Sequence, residues 1–307
     1  MIQTDNTPAN NPMTNTGATL GRVLFYDTRL SANKTVSCAS CHLQSHGFGD
    51  PRPLSEGFQG GLTGRHSMGL TNARFYDQGR FFWDERAGSL EEQVLMPIQD
   101  PVDMGMSLPD LREKLSTTPF YASLFVDAFG SAEVTDERVS RALAQFVWSL
   151  VSLESKFDRA FTNGDRPNFS AALTPQEDRG RWIFDRNCAN CHETNAQVGE
   201  RPRSTGLDAT ITDSGVGRGQ FKTPSLRNVA VRATYMHDGR FATLREVVQF
   251  YNNEIQANPE LDNRLENDGQ PRRLNLNGAE IDALIAFLNT LTDGAFLMDV
   301  RFSDPFE

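Results

Sequence analysis

Cys38-Ala39-Ser40-Cys41-His42 and Cys188-Ala189-Asn190-Cys191-His192 are two copies of one pattern, and together they use every cysteine in the chain. Two thiols at this spacing followed directly by an imidazole form the attachment signature of a c-type haem. The thiols make thioethers to the porphyrin, and a short helical turn sets the histidine against one face of the iron. A redox dithiol or half of a zinc site would use the same two thiols. Against both, each copy carries its histidine directly after the second cysteine, no further C-x-x-C or Cys/His-rich knuckle lies nearby, and no cysteine is left for a disulfide framework. Two covalent haems are therefore expected, on Cys38, Cys41, Cys188 and Cys191, with His42 and His192 on the irons.

At 307 residues the chain can build two domains of ordinary size, each with its own core. It carries 40 acidic against 30 basic residues, net −10, which argues against a nucleic-acid partner. No apolar run long enough for a membrane span occurs, and the polar start MIQTDNTPANNPMTNTGATL has neither a basic nor an apolar signal region. The chain reads as soluble and mature. Because c-type haem is attached on the export side of the membrane, a periplasmic location is expected.

The positioning elements come in two sets. Gly21-Arg22-Val23-Leu24-Phe25 precedes the first motif as Gly180-Arg181-Trp182-Ile183-Phe184 precedes the second, and Leu70-Thr71-Asn72-Ala73 is echoed by Leu226-Arg227-Asn228-Val229. Asp84-Glu85-Arg86-Ala87-Gly88-Ser89-Leu90 matches Asp238-Gly239-Arg240-Phe241-Ala242-Thr243-Leu244 at an offset of 154. Each set closes with a similar helix, Ala142 to Leu150 and Ala283 to Leu291. Thr174-x-x-Glu177, Ser89-x-x-Glu92, Thr243-x-x-Glu246 and Asn277-x-x-Glu280 are helix-opening capping boxes. After Thr135, an apolar stripe of Val139, Leu143, Phe146, Leu150, Leu153 and Phe157 predicts one helix. Strand signals are weak. The Gly-rich stretch from Gly57 to Gly64 lacks a phosphate-loop pattern and reads as a loop over a haem edge.

The two copies differ in one place that matters for iron chemistry. On the helix after Thr243, Leu244, Val247, Val248 and Tyr251 share a face, which points Tyr251 inward as an oxygen ligand or as a core tyrosine. The offset of 154 carries Tyr251 onto Pro97, which has no side-chain donor. If both helices cover their haems alike, the second iron is capped and the first is open. An open iron binds peroxide or oxygen, and a closed one passes electrons.

The two C-x-x-C-H motifs, Phe81-Phe82-Trp83-Asp84, Leu90-Glu91-Glu92-Gln93 through Pro97-Ile98, Pro101-Val102-Asp103-Met104, Leu226-Arg227-Asn228-Val229 and Tyr235-Met236-His237-Asp238-Gly239 through Tyr251 form an ordered set. In this set the chain resembles the bacterial di-haem cytochrome c peroxidase family, MauG-like branch, over nearly all of residues 17–300. The resemblance implies two cytochrome c-like domains with Trp83 between the haems. It also puts Gln93 and Asp103 above the open haem, where the family has a glutamine and a glutamate that relays a proton during O–O cleavage. Asp103 is one methylene shorter. The removable histidine of many relatives aligns with Phe58 or a glycine, with His46 and His66 as nearby alternatives. Met236 is a rival ligand for the second iron. Many relatives bind calcium between the haems; the matching positions are His66, Arg232 and Thr234, and histidine is a poor ligand for that cation, so calcium stays an open expectation.

The expected fold is mainly α, two tandem cytochrome c-like haem domains with long loops: a flexible tail 1–16, an N-terminal peroxidatic domain 17–163 and a C-terminal electron-transfer domain 164–307. The expected activity is reduction of hydrogen peroxide at the first haem, with oxidising equivalents shared with the second. Electrons would come from a small redox protein, cytochrome c or cupredoxin, or from a protein substrate. The alternatives are a cytochrome c peroxidase that needs reductive activation and a non-enzymatic di-haem electron carrier.

Overall fold

The computed structural model describes residues 5–161, 167–193 and 196–307. The joint expected between residues 163 and 164 lies outside these. The first unit comprises α1 (Asn15–Tyr26), α2 (Leu90–Gln93), α3 (Met96–Gln99), α4 (Leu108–Thr117), α5 (Pro119–Phe129) and α6 (Asp136–Ser149). The second comprises α7 (Phe169–Ala172), α8 (Pro175–Asn187), α9 (Leu244–Gln249), α10 (Gly278–Asn289) and α11 (Gly294–Leu297). Long loops join them, and the strands among the described residues form one hairpin, Glu266–Asn267 with Gln270–Pro271. No helix among the described residues is long and apolar enough to cross a membrane.

Each unit is built on one close helix crossing. A methyl group added at Gly21 of α1 would lie 1.9 Å from the Ala142 carbonyl oxygen of α6, and one added at Gly180 of α8 would lie 1.9 Å from that of Ala283 on α10. Only a residue without a side chain lets the backbones approach so far. Around the first crossing pack Leu20, Leu24, Phe25, Leu143 and Phe146, and around the second Ile183, Phe184, Leu284, Phe287 and Leu288. The repeat continues in the loops. Phe81 bridges Ala87 as Tyr235 bridges Phe241, and Phe82 and Met236 take the same left-handed backbone, φ 69° and 74°.

The capping boxes at Thr174, Thr243 and Asn277 form in both directions. At Ser89 only half does: Ser89 accepts from the Glu92 amide, while Glu92 reaches back to Gly88 instead, 2.8 Å away. The helix expected to run from Thr135 through Phe157 stops at Ser149. Beyond it the backbone finds other partners: Asn72 accepts from the Ser152 amide at 2.9 Å and Asp293 from that of Glu154 at 3.0 Å. Side-chain partners of this kind end a helix despite a continuing apolar period. Phe157 then leaves the first core altogether and packs in the second, its ring 5.8 Å from that of Phe287.

The described part of the expected loose tail is tethered. The Asn6 amide donates to the Arg74 carbonyl, buried Asn11 exchanges hydrogen bonds with Glu91 and Gln145, and Thr14 caps α1. At the other end, Phe296 joins the first core and the Tyr26 hydroxyl donates to the Phe302 carbonyl at 2.8 Å. Core membership thus crosses between the two halves of the chain at Phe157 and at Phe296.

Replacing Gly21 or Gly180 by alanine should destabilise the haem-loaded protein by about 1–3 kcal/mol or more, the usual cost of overpacking. Guanidinium unfolding followed by circular dichroism measures it, and equal stability would mean that the crossings yield.

Candidate functional site

The two C-x-x-C-H motifs open into two cavities that share a wall. The first, of about 510 Å³, is lined by Cys38, Cys41 and His42 with Gln93, Pro97 and Asp103. The second, of about 210 Å³, is lined by Cys188, Cys191 and His192 with Met236 and Tyr251. Trp83, His66 and Lys222 line both. Among the described residues all four thiols are free.

The motifs are built alike. Cys38–Ser40 forms a single 3-10 turn, while Cys188 closes α8. His42 Nδ1 pairs with the Phe48 carbonyl at 2.9 Å, and His192 Nδ1 with the Gln197 carbonyl at 3.1 Å. As the donor in this bond, Nδ1 carries the proton and leaves Nε2 as the lone-pair nitrogen for a metal. Both carbonyls belong to non-glycine residues in the left-handed region, Phe48 at φ 57° and Gln197 at φ 50°. Phe25 and Phe184 stand against the imidazoles at the same ring separation, 6.4 Å.

Burial pushes the Cys38 and Cys188 thiols up to about 12 and the His192 imidazole down to about 4. Neutral imidazoles suit iron ligation, and no group of three or more His, Cys, Asp or Glu side chains among the described residues is arranged to hold a metal ion. Cations also line the cavities, Arg65 and Arg86 in the first and Arg203 and Arg232 in the second. Nε of Arg203 and of Arg232 is buried without an acceptor among the described residues, a ready place for the carboxylates of a porphyrin. The residues present fit a covalent haem in each cavity.

Pro97 lines the first cavity and Tyr251 the second. Pro97 sits in the first turn of α3, where its missing N–H costs nothing, and it separates α3 from α2. In the second unit α9 continues into a π-helical turn, Phe250–Glu254, that carries Tyr251. Such a turn re-aims side chains and often marks a functional position. Burial pushes the Tyr251 phenol above its usual value.

Asp103 lies in the turn after α3, which Asp100 braces by accepting from the Val102 amide at 2.8 Å. Its carboxyl has no hydrogen-bond partner among the described residues, and burial, with help from Asp100 and against Arg86, raises it to about 6. The Gly-rich loop holds this turn in place rather than covering a cavity with its full length. The Phe58 amide donates to the Asp103 carbonyl at 3.0 Å, and Gly57 lies so close to Val102 that a methyl group would be 1.7 Å from its oxygen. Phe58 and His46 line neither cavity. The indole Nε1 of Trp83 donates to the His66 carbonyl at 2.7 Å, which fixes the ring in the shared wall.

A sequence profile described as di-haem cytochrome c peroxidase matches residues 15–166, and one described as cytochrome c matches residues 177–292. The methylamine utilization protein MauG of Methylorubrum extorquens is 36% identical, over 92% of this chain and 80% of that protein. The chain belongs to the di-haem cytochrome c peroxidase family. The cytochrome c551 peroxidase of Nitrosomonas europaea is 34% identical, over 93% of this chain and 81% of its own length. A solved structure, a MauG-like protein associated with microbial copper homeostasis, superposes over 99% of this chain and 97% of that one, with a TM-score of 0.85 and 31% identity. The protein is accordingly an enzyme of peroxidase type, MauG-like, with two covalently bound haem c groups.

The expected calcium residues come together but do not fit the ion. His66 offers nitrogen, its Nδ1 3.1 Å from the Arg52 and Pro53 carbonyls. The Arg232 carbonyl already accepts from the Tyr235 hydroxyl at 2.7 Å, and the buried Arg232 guanidinium adds positive charge beside His66. A hard dication prefers uncommitted oxygens without a cation beside them. The residues that sequence alone did not find are those without a motif: the Phe48 and Gln197 carbonyls, Arg203, and Lys222.

Gly57→Ala should leave haem content unchanged while slowing the reaction with peroxide by about tenfold or more, because it pushes the Asp103 turn away. Stopped-flow mixing with peroxide reads this out, and an unchanged rate would mean that the loop does not position Asp103.

Proposed function

We propose that the first cavity is the peroxide site and that the second stores oxidising equivalents, in the MauG-like manner, without prior reduction. The observation that carries this reading is the contrast between Pro97 in the first cavity and Tyr251 at the equivalent place in the second. Its greater volume, about 510 Å³ against 210 Å³, also favours the first cavity as the one that admits a ligand.

When bound, the haems would supply iron-centred redox chemistry. The chain supplies positions and protons. His42 and His192 would hold the irons through Nε2, and Tyr251 would offer its phenol oxygen to the second, with Met236 as the lesser candidate. Tyrosine oxygen favours oxidised iron, where methionine sulfur would raise the potential. Gln93, at the end of α2, orients bound peroxide as a neutral donor and acceptor. Asp103 takes the peroxide proton and returns it to the departing oxygen, work for which a carboxyl near 6 is well matched. Trp83 carries oxidising equivalents across the wall. The reductant is a protein, and the Tyr251 ligand favours a protein substrate over a small redox protein. An export-side, periplasmic location follows from where thioether-linked haem is made.

The deciding measurement is low-temperature electron paramagnetic resonance of the fully ferric protein. One high-spin and one low-spin signal are expected, with the low-spin signal altered in Tyr251→Phe while both haems remain attached. Two low-spin signals would sink the open first face and favour a peroxidase that needs reductive activation, or a plain electron carrier. A second expectation concerns pH. Only the carboxylate form of Asp103 accepts a proton, so the peroxide reaction should speed up as pH rises through about 6. Asp103→Asn should react more slowly and lose that inflection, and an inflection that survives the substitution assigns it to another group.

A further inference from the structure

Glu85 breaks the internal repeat. At the equivalent place the second unit has Gly239, and both residues adopt left-handed backbone, φ 54° and 69°. Gly239 is required where it stands, since a side chain there would meet Pro53 at 2.6 Å. In the first unit a glutamate holds a conformation that favours glycine, and its side chain turns inward. Glu85 is 5% exposed, and the buried Tyr76 hydroxyl donates to its carboxylate. A carboxylate buried on strained backbone, facing one phenol and the buried Lys222 ammonium, is a polar cluster that packing alone does not call for.

Two further observations tie the pair to the cavities. Tyr76 itself lines the first cavity. Lys222, whose amide donates to the Trp83 carbonyl at 2.8 Å, places its ammonium 3.9 Å from the centroid of the Tyr76 ring and donates to the Arg80 carbonyl at 2.7 Å. A cation over the ring face is attracted to the neutral ring and opposes a second positive charge there. Oxidation of Tyr76 to a cation radical is therefore disfavoured, and an electron can leave only together with the phenolic proton. Glu85 is placed to take that proton.

We propose that Tyr76 is an oxidisable side chain on the wall of the first cavity, with Glu85 as the acceptor of its proton. In this step the Tyr76 phenol gives one electron to the peroxide-oxidised first haem, and its O–H proton passes to the Glu85 carboxylate. The products are a neutral tyrosyl radical and a neutral carboxylic acid. Re-reduction by one electron returns the proton. Tyr76 then adds a second holding place for an oxidising equivalent beside Trp83. The proposal rests on the reading of the first cavity as the peroxide site.

The test is freeze-quench electron paramagnetic resonance on the haem-loaded protein with ring-deuterated tyrosine as the label. Two oxidants are used, hydrogen peroxide and flash-generated tris(bipyridine)ruthenium(III), which needs no peroxide site. A tyrosyl signal with both is expected, lost in Tyr76→Phe and lost in Glu85→Gly. The glycine variant relieves the backbone and copies the second unit, so its haem absorbance and unfolding midpoint should stay at least at wild-type level. A signal with the ruthenium oxidant alone would support Tyr76 and count against the peroxide reading. Absence of the signal with both oxidants, or its persistence in Tyr76→Phe, would overturn the proposal. So would a wild-type yield in Glu85→Gly.

Discussion

Inside each unit a buried imidazole must stay neutral and face one way, and one hydrogen bond from its Nδ1 to a backbone carbonyl serves both needs. The acceptors are the carbonyls of Phe48 and Gln197, and both residues have left-handed backbone. For residues with a side chain that conformation costs about 1 kcal/mol or more, and it persists where the surroundings over-determine it. The surroundings here are the glycine-mediated crossings of α1 with α6 and α8 with α10, which bring Phe25 and Phe184 against the imidazoles. Packing, loop geometry and metal chemistry are thus joined through a single bond in each half.

With the two histidines held in the same way, the cavities differ in their covers. Proline at 97 belongs at a helix start and carries no donor atom. At the equivalent place Tyr251 rides on a π-helical turn that delivers a phenol into the narrower cavity. The same scaffold thus carries a proline on one cavity wall and a tyrosine on the other, and the local helix geometry differs with the residue.

The shared wall is where the units act together. Trp83 is pinned by its indole N–H to the His66 carbonyl and by its own carbonyl to the Lys222 amide. Burial lowers the Lys222 ammonium in this wall to about 7, and the Glu85 carboxylate opposes that shift. Cations line both sides of it, and His66, Arg232 and Thr234 cluster beside it.

Much of this was legible in one dimension. The doubled C-x-x-C-H motif, the offset that pairs Tyr251 with Pro97, and three of four capping boxes depend on residues close in sequence, and local chemistry settles them. Glu85 in place of Gly239 was visible in the same alignment of halves, but only its burial against Tyr76 gives it meaning. The run of apolar residues through Leu153 and Phe157 misled because the period of a helix continues past the point where Asn72 and Asp293 capture the backbone, and those partners lie far away in sequence. Sequence by itself determined which groups can bind haem and that proline stands at 97 where the second unit has Tyr251. Tertiary structure alone decided which carbonyls orient the histidines, which cations meet at the wall and how far Asp103 is buried. Those depend on segments brought together by packing, and no local spacing encodes that.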